Sequence, residues 1–210
     1  MFDGASLILF LTASLALIIH PGPNMIYIVT RGVSQGRGAA LVSVLGMGTG
    51  QTTHTIFAAL GLSAVLQQSA AAFAVVKYAG AVYLIYLGIK TLLDRRALAA
   101  PEDATPATGL SKVYRQGAIL SVFNPYLALF FLAYLPQFAD PAAGSVALQL
   151  VLLGLIYTVL ALIVYGTIAV FSGALGDRLA AVPRLQNVLR WLTGSVLVGL
   201  GLRLAFSERR

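Results

Sequence analysis

The sequence predicts an all-α protein that crosses a lipid bilayer several times. Of its 210 residues, 59% are hydrophobic and 10% are charged, whereas a soluble domain is about 25% charged. The apolar residues come in long runs, and a run of about 20 lets one helix cross a bilayer. A chain of this length could not hide so much apolar surface from water, so lipid is the expected solvent.

Uncharged stretches and polar breaks divide the chain into six predicted spans. Span 1 lies between Asp3 and Arg31, where only His20 could carry a charge. The next uncharged stretch, from Arg37 to Lys77, is too long for one helix and is divided by a weak turn. We expect the spans at about 5–30, 39–61, 70–92, 114–137, 146–171 and 188–206, in a single transmembrane domain covering 1–210.

A polar segment at 94–111 divides the domain into two halves. It contains charged residues and prolines, and it links spans 1–3 in residues 1–93 to spans 4–6 in residues 112–210. Three helices are an odd number, so a duplicated half is inverted in the membrane, which is a recurrent plan of transporters. We therefore predict a 3+3 inverted repeat, with the first span of each half broken by proline.

The basic residues predict the orientation of the chain. They cluster in the connections after spans 1, 3 and 5. The connection between spans 2 and 3 has no basic residue, and the connection between spans 4 and 5 has none either, its one charged residue being the acidic Asp140. Because basic loops stay on the cytoplasmic side, we expect the linker in the cytoplasm and both termini outside. The net charge of +7 is thus explained without a nucleic-acid partner.

Two proline-containing breaks are the strongest candidates for a binding site. Proline removes a backbone hydrogen bond, and in hydrocarbon the freed groups need a partner, so such a break should face protein or a water-filled cavity. A half-helix that starts there offers free N–H groups and a partial positive charge, which suit a carboxylate. The alternative is that each break is only a proline kink that serves helix packing. The candidate residues are Pro21, Gly22, Pro23 and Asn24 in span 1, and Asn124 and Pro125 in span 4.

Three further side chains are candidates for substrate or proton handling. Placing an ionisable side chain at membrane depth costs free energy, which singles out His54 in span 2 as a functional candidate. The alternative is that His54 is a structural residue held by hydrogen bonds. Lys77 in span 3 could pair with a substrate carboxylate or extend to the interface. Tyr157 lies deep in span 5 and is otherwise a core residue. The spacing of four residues from Gly46 to Gly50 predicts a helix-packing face.

Missing residue types restrict the chemistry. No acidic residue lies inside a predicted span, and the chain has no cysteine. Neither a metal site nor a set of catalytic residues can be assembled from what remains, and we expect no cofactor. Proton coupling through a side chain must use His20, His54 or Lys77. A neutral, zwitterionic substrate fits these spans better than a cation.

A series of short motifs follows in order through spans 1–4. They are Pro21–Met25, Arg31, Gln35-Gly36, Gly46, Gly50, His54, Tyr78–Gly80, Tyr83–Gly88, Asn124-Pro125, Phe130-Phe131 and Pro136–Phe138. Together these motifs resemble the LysE/RhtB family of amino-acid exporters, and the specific part is the block from Pro21 to Met25 with the residues that follow it.

The resemblance implies an exporter in a bacterial inner membrane that is driven by the proton motive force. Its substrate would be an amino acid such as homoserine, threonine, leucine or lysine. We expect membrane lipids as its other partners, and a homo-oligomer is possible. The family often has lysine where this chain has Tyr126, which bears on the substrate. An inorganic-cation exporter and an accessory subunit without transport activity are the alternatives. An enzyme is not expected.

Overall fold

The computed structural model describes residues 4–20, 22–62, 70–93, 109–172 and 183–206, and every regular element in these ranges is helical. Pro21 and most of the predicted linker lie outside them. The helices are α1 (Gly4–Ile19), α2 (Pro23–Gln35), α3 (Arg37–Phe57, extended by a π-helical turn at Ala58–Leu62), α4 (Ala70–Leu93), α5 (Leu110–Val122), α6 (Pro125–Phe138), α7 (Val146–Val170) and α8 (Pro183–Phe206).

Within the described ranges, α7 alone is long and apolar enough to cross a membrane by itself. Two bent pairs also qualify when each pair is counted as one span. Helices α1 and α2 meet at an angle of 49°, and α5 and α6 meet at 47°. The described residues therefore contain up to three spans by length and composition, and the count of six stays a prediction.

Side-chain caps and prolines determine where several helices begin. Proline occupies the first turn of α2 and of α6, where its missing N–H would have no intrahelical partner anyway. The side chain of Asn124 accepts a hydrogen bond from the backbone N–H of Tyr126 at 3.0 Å and so caps α6. Gly36, with φ at +83°, makes the turn between α2 and α3.

Glycine lets α3 and α5 approach to backbone contact. A Cβ built at Gly50 would lie 2.5 Å from the Cβ of Ser121, and one built at Gly46 would overlap the carbonyl of Tyr114. Residues later in α3 thus meet residues later in α5, which means that the two helices run parallel. Gly46 and Gly50 face the neighbouring helix in this arrangement.

Two other close pairs are antiparallel. In the first, Gly88 of α4 meets Gly194 of α8, while Gly201, later in α8, meets the earlier residue Ala81 of α4. In the second, Thr55 of α3 meets Gly154 of α7, while Gly48, earlier in α3, meets the later residue Leu162 of α7. Because small residues line these crossings, the helices pack backbone against backbone, as is common in membrane proteins.

Aromatic rings fill the space between α1, α6 and α7. The ring centroid of Phe130 lies 5.1 Å from that of Tyr157 and 5.3 Å from that of Tyr134. Phe10 of α1 reaches the same group through Phe138, at 5.3 Å. We call Phe10, Phe130, Phe131, Tyr134, Phe138 and Tyr157 the aromatic cluster.

Candidate functional site

The first turns of α2 and α6 meet inside the protein. Asn24 lies in the first turn of α2, and Asn124 is the residue on which α6 starts. The amide nitrogen of Asn124 donates a hydrogen bond to the amide oxygen of Asn24 at 3.2 Å, and both side chains are buried. Two helix N-termini, each with a partial positive charge, therefore converge on one place.

The remaining polar atoms of this asparagine pair are also engaged. The side-chain oxygen of Asn124 accepts the hydrogen bond from the backbone N–H of Tyr126. Asn24 and the buried Tyr165 of α7 are side-chain hydrogen-bond partners. The pair thus forms a clasp between the starts of α2 and α6, in which each amide oxygen accepts one hydrogen bond.

A small cavity lies beside the asparagine clasp. Its volume is about 20 Å³, which is room for about one water molecule. No charged side chain other than a histidine is among its lining residues, which belong to α1, α2, α6, α7 and the break before α2. They are Leu17, His20, Gly22, Pro23, Asn24, Asn124, Tyr126, Leu127, Tyr157 and Tyr165.

His20 is the one ionisable side chain other than tyrosine in this lining. Only 7% of His20 is exposed, and its Nδ1 atom has no hydrogen-bond partner among the described residues. The imidazole lies 4.8 Å from the ring of Tyr126, centroid to centroid. A Cβ at Gly22 would come within 2.9 Å of the His20 Cδ2 atom, so glycine makes room for the ring.

Two groups of contacts lie on either side of the cavity along the helices. On one side, the aromatic cluster begins with Tyr157, which lines the cavity and also packs on Phe130. On the other side, Arg31 of α2 donates a hydrogen bond to the side chain of Gln116 in α5 at 2.9 Å, and Tyr27 donates to the same oxygen at 3.1 Å. We call Tyr27, Arg31 and Gln116 the polar clamp.

Helix order supports the arrangement of these three layers. Along α1 and α2 the chain passes the aromatic cluster at Phe10, then the cavity, then the clamp at Arg31. Along α5 and α6 it passes them in the opposite order, from Gln116 to Phe138. The cavity therefore lies about midway along both broken helix pairs.

The structure brings most of the candidate residues together. Gly22, Pro23, Asn24, Asn124 and Tyr157 line the cavity, and Pro125 starts the helix beside it.

His54, Lys77 and Pro21 are placed differently. The Nε2 atom of His54 lies 3.3 Å from the carbonyl oxygen of Ser121, and its ring lies 5.8 Å from that of Phe131. His54 is therefore not among the residues that line the cavity. Lys77 belongs to α4, but its side chain lies outside the described part of the chain, as does Pro21.

The lining also includes residues that were not predicted as binding residues. Leu17 and Leu127 are ordinary apolar residues of long apolar runs, so nothing in their local sequence distinguishes them. The sequence marks Tyr165 only as a tyrosine deep in span 5 and Tyr126 only as the position where the similar family often has lysine, and it assigns neither to the site. His20 stood out only as one of few ionisable residues. No group of metal-binding side chains occurs among the described residues.

Comparison with known proteins shows similarity over nearly the whole chain. The family model described as LysE type translocator matches residues 15–208. An uncharacterised membrane protein of Bacillus subtilis (strain 168) is 29% identical over 210 residues, which cover 96% of this chain and 99% of that protein. A leucine efflux protein of Enterobacter sp. (strain 638) is 29% identical over 202 residues, covering 93% of each. No solved structure matches the chain.

Proposed function

This chain belongs to the LysE type translocator family and is a membrane transporter, not an enzyme, and from that premise we propose that it exports neutral amino acids. We expect a substrate of the leucine, threonine or homoserine type. Similar proteins named leucine efflux protein support this class. So does the cavity, since none of its lining residues carries a carboxylate or a lysine or arginine side chain.

The observation that carries the proposal is the meeting of the α2 and α6 N-termini at Asn24 and Asn124. An amino acid always presents a carboxylate, and helix N-termini supply N–H donors and positive partial charge without a formal cation. In water such groups would be solvated, but in a dry cavity they favour an anionic group more strongly. The amide groups of the clasp would rearrange to bind the substrate.

Helix directions support the inverted 3+3 repeat that we propose. Helices α3 and α7 are the second helices of the two halves, and α4 and α8 are the third, and each of these pairs is antiparallel. A two-fold axis in the membrane plane requires such antiparallel pairs. The same axis would exchange the neighbours α3 and α5–α6 with the neighbours α7 and α1–α2. Both pairs run parallel, the second because Asn24 meets Tyr165 and Gly32 meets Ser172.

We propose that the polar clamp and the aromatic cluster are the two closures of an alternating-access cycle. Each joins one half of the chain to the other on one side of the cavity. A space of about 20 Å³ cannot hold an amino acid, so substrate entry requires one closure to open. With the basic connections in the cytoplasm, the clamp faces inward and the aromatic cluster faces outward.

We further propose a bacterial inner-membrane location, both termini outside and transport coupled to the proton motive force. Because no acidic residue lies in the predicted spans, proton transfer by a side chain there would use His20, His54 or Lys77. The role of His54 in substrate or proton handling stays a prediction, as does that of Lys77.

Counterflow in proteoliposomes tests the function directly. Purified protein is reconstituted into liposomes loaded with one unlabelled amino acid, and uptake of the same labelled amino acid is followed across a panel. We expect uptake of leucine or another neutral amino acid, abolished by Asn24→Ala and absent from protein-free liposomes. No uptake of any amino acid would refute the proposal, and uptake of an inorganic cation instead would favour a cation exporter.

A further inference from the structure

The transport proposal gives His20 no part in holding the substrate. His20 is more than nine-tenths buried, it lines the cavity, and its Nδ1 atom has no partner in the described part of the structure. Burying a polar atom without a hydrogen bond is costly, so native proteins rarely do so without a reason. A ligand that supplied the missing hydrogen bond would recover this cost.

The ring has a defined position. The ring lies beside that of Tyr126, tilted by 40°, and its Cδ2 edge lies close to Gly22, where a single added carbon would come within 2.9 Å of it. The backbone around it is also engaged, because the Gly22 N–H donates to the His20 carbonyl at 2.6 Å. The imidazole is therefore held in place among the residues that line the cavity, and its Nδ1 atom has no hydrogen-bond partner in the described part of the chain.

The substrate has two charged ends, and the cavity offers them different partners. The positive ends of α2 and α6 favour the carboxylate. The ammonium group then needs an acceptor, but the described lining residues include no carboxylate, and the amide oxygens of Asn24 and Asn124 each already accept one hydrogen bond. A neutral imidazole has one nitrogen with a free lone pair, and Nδ1 of His20 meets this requirement.

We propose that His20 is a substrate-binding residue whose Nδ1 atom accepts a hydrogen bond from the ammonium group of the transported amino acid. The proposal rests on the function proposed above and names the group that recognises one end of the substrate. It distinguishes an amino acid from the corresponding 2-oxo acid, which has the same carboxylate and side chain but no ammonium group.

Three variants separate the ring from its nitrogen atoms. His20→Phe keeps an aromatic ring against Tyr126 but removes both nitrogens. His20→Asn places an amide near the position of Nδ1, whereas His20→Gln places one nearer to that of Nε2. Ser14→Ala is the matched control, because Ser14 lies on α1, is buried and has an unpartnered hydroxyl among the described residues, but does not line the cavity.

The experiment measures equilibrium binding of leucine and of its 2-oxo analogue, 4-methyl-2-oxopentanoate, to purified protein in lipid nanodiscs. In His20→Phe we expect leucine affinity to fall about tenfold or more, since the lost bond involves a charged donor, and affinity for the 2-oxo acid to change less than about twofold. His20→Asn should retain most of the leucine affinity, His20→Gln should lose it, and Ser14→Ala should match the wild type.

Equal weakening of both ligands in His20→Phe, or unchanged leucine binding, would overturn the proposal. If His20→Phe does not fold, the comparison of His20→Asn with His20→Gln decides in the same way, and equal affinities would refute a contact at Nδ1. Counterflow by the wild type separates failure of the His20 proposal from failure of the proposed transport function. Amino-acid uptake by the wild type together with unchanged binding in the His20 variants rejects only the role of His20, whereas no uptake by the wild type rejects the transport function itself.

Discussion

The side-chain nitrogen of Asn124 donates a hydrogen bond to the side-chain oxygen of Asn24 at 3.2 Å, although the two residues are 100 positions apart in the chain. Each residue lies where a helix starts again after a break. The bond therefore links the interrupted helix of one half to the interrupted helix of the other, beside the cavity. Buried polar groups need hydrogen-bond partners, and here each amide supplies one partner to the other.

Breaking this bond should show energetic coupling between the halves. Asn24→Ala and Asn124→Ala should each lower the free energy of unfolding by about 1–2 kcal/mol, and the double variant by about 1 kcal/mol less than their sum. Asn124→Asp separates the clasp from the cap, because a carboxylate can cap α6 but cannot donate to Asn24. Denaturation of the four variants in mild detergent measures their free energies of unfolding. A double-variant loss equal to the sum of the two single-variant losses would contradict the coupling.

The glycine contacts predict position-specific sensitivity in α3. Gly50→Ala would force its new methyl group against Ser121 and should cost about 1–3 kcal/mol of stability. Gly38→Ala is the matched control on the same helix, because nothing lies within 4 Å of its added carbon. It should be neutral or stabilise by up to about 1 kcal/mol. Thermal unfolding in detergent compares the two, and equal transition temperatures would rule out the packing interpretation.

The polar clamp should contribute to the closed state. Arg31 is buried and donates to Gln116, whereas Arg37, at the start of α3, is exposed. Arg31→Gln should lower the free energy of unfolding by about 1.5–3 kcal/mol, the usual worth of a hydrogen bond from a charged donor. Arg37→Gln should change it by less than about 0.5 kcal/mol. Similar losses in both variants would mean that the clamp adds nothing to stability.

The predicted orientation can be tested by labelling, since the chain has no cysteine to contribute background. Ala143→Cys lies in the connection between α6 and α7, and Ser34→Cys lies in the last turn of α2; both positions are exposed. A membrane-impermeant maleimide should label Ala143→Cys in intact cells and Ser34→Cys only after lysis. The reverse result would invert the topology.

The helical class and the region of the site are accessible from local sequence. Long apolar runs dictate helices, and proline with asparagine marks positions where a helix stops and starts again. Gly22, Pro23, Asn24 and Asn124 could be singled out because these residue types are unusual inside an apolar span.

The partners of those residues could not be predicted in the same way. That Asn24 pairs with Asn124 and Tyr165 depends on the registration of three helices, which no short motif encodes. Leu17 and Leu127 become lining residues only because a cavity forms beside them. His54, chosen for its cost at membrane depth, has its ring nitrogen near the Ser121 carbonyl instead. Local sequence indicates which polar side chains cost free energy to bury in a membrane. Tertiary packing decides which partner each of them contacts.

The asparagine clasp has a consequence for biosynthesis. A ribosome adds about 5–20 residues per second, so the 100 positions between Asn24 and Asn124 correspond to a delay of about 5–20 s. During that interval the newly inserted first half carries an exposed amide with no partner from the second half. A nascent chain in this condition is a natural client for the insertion machinery, which would shelter the polar break until the complementary segment emerges.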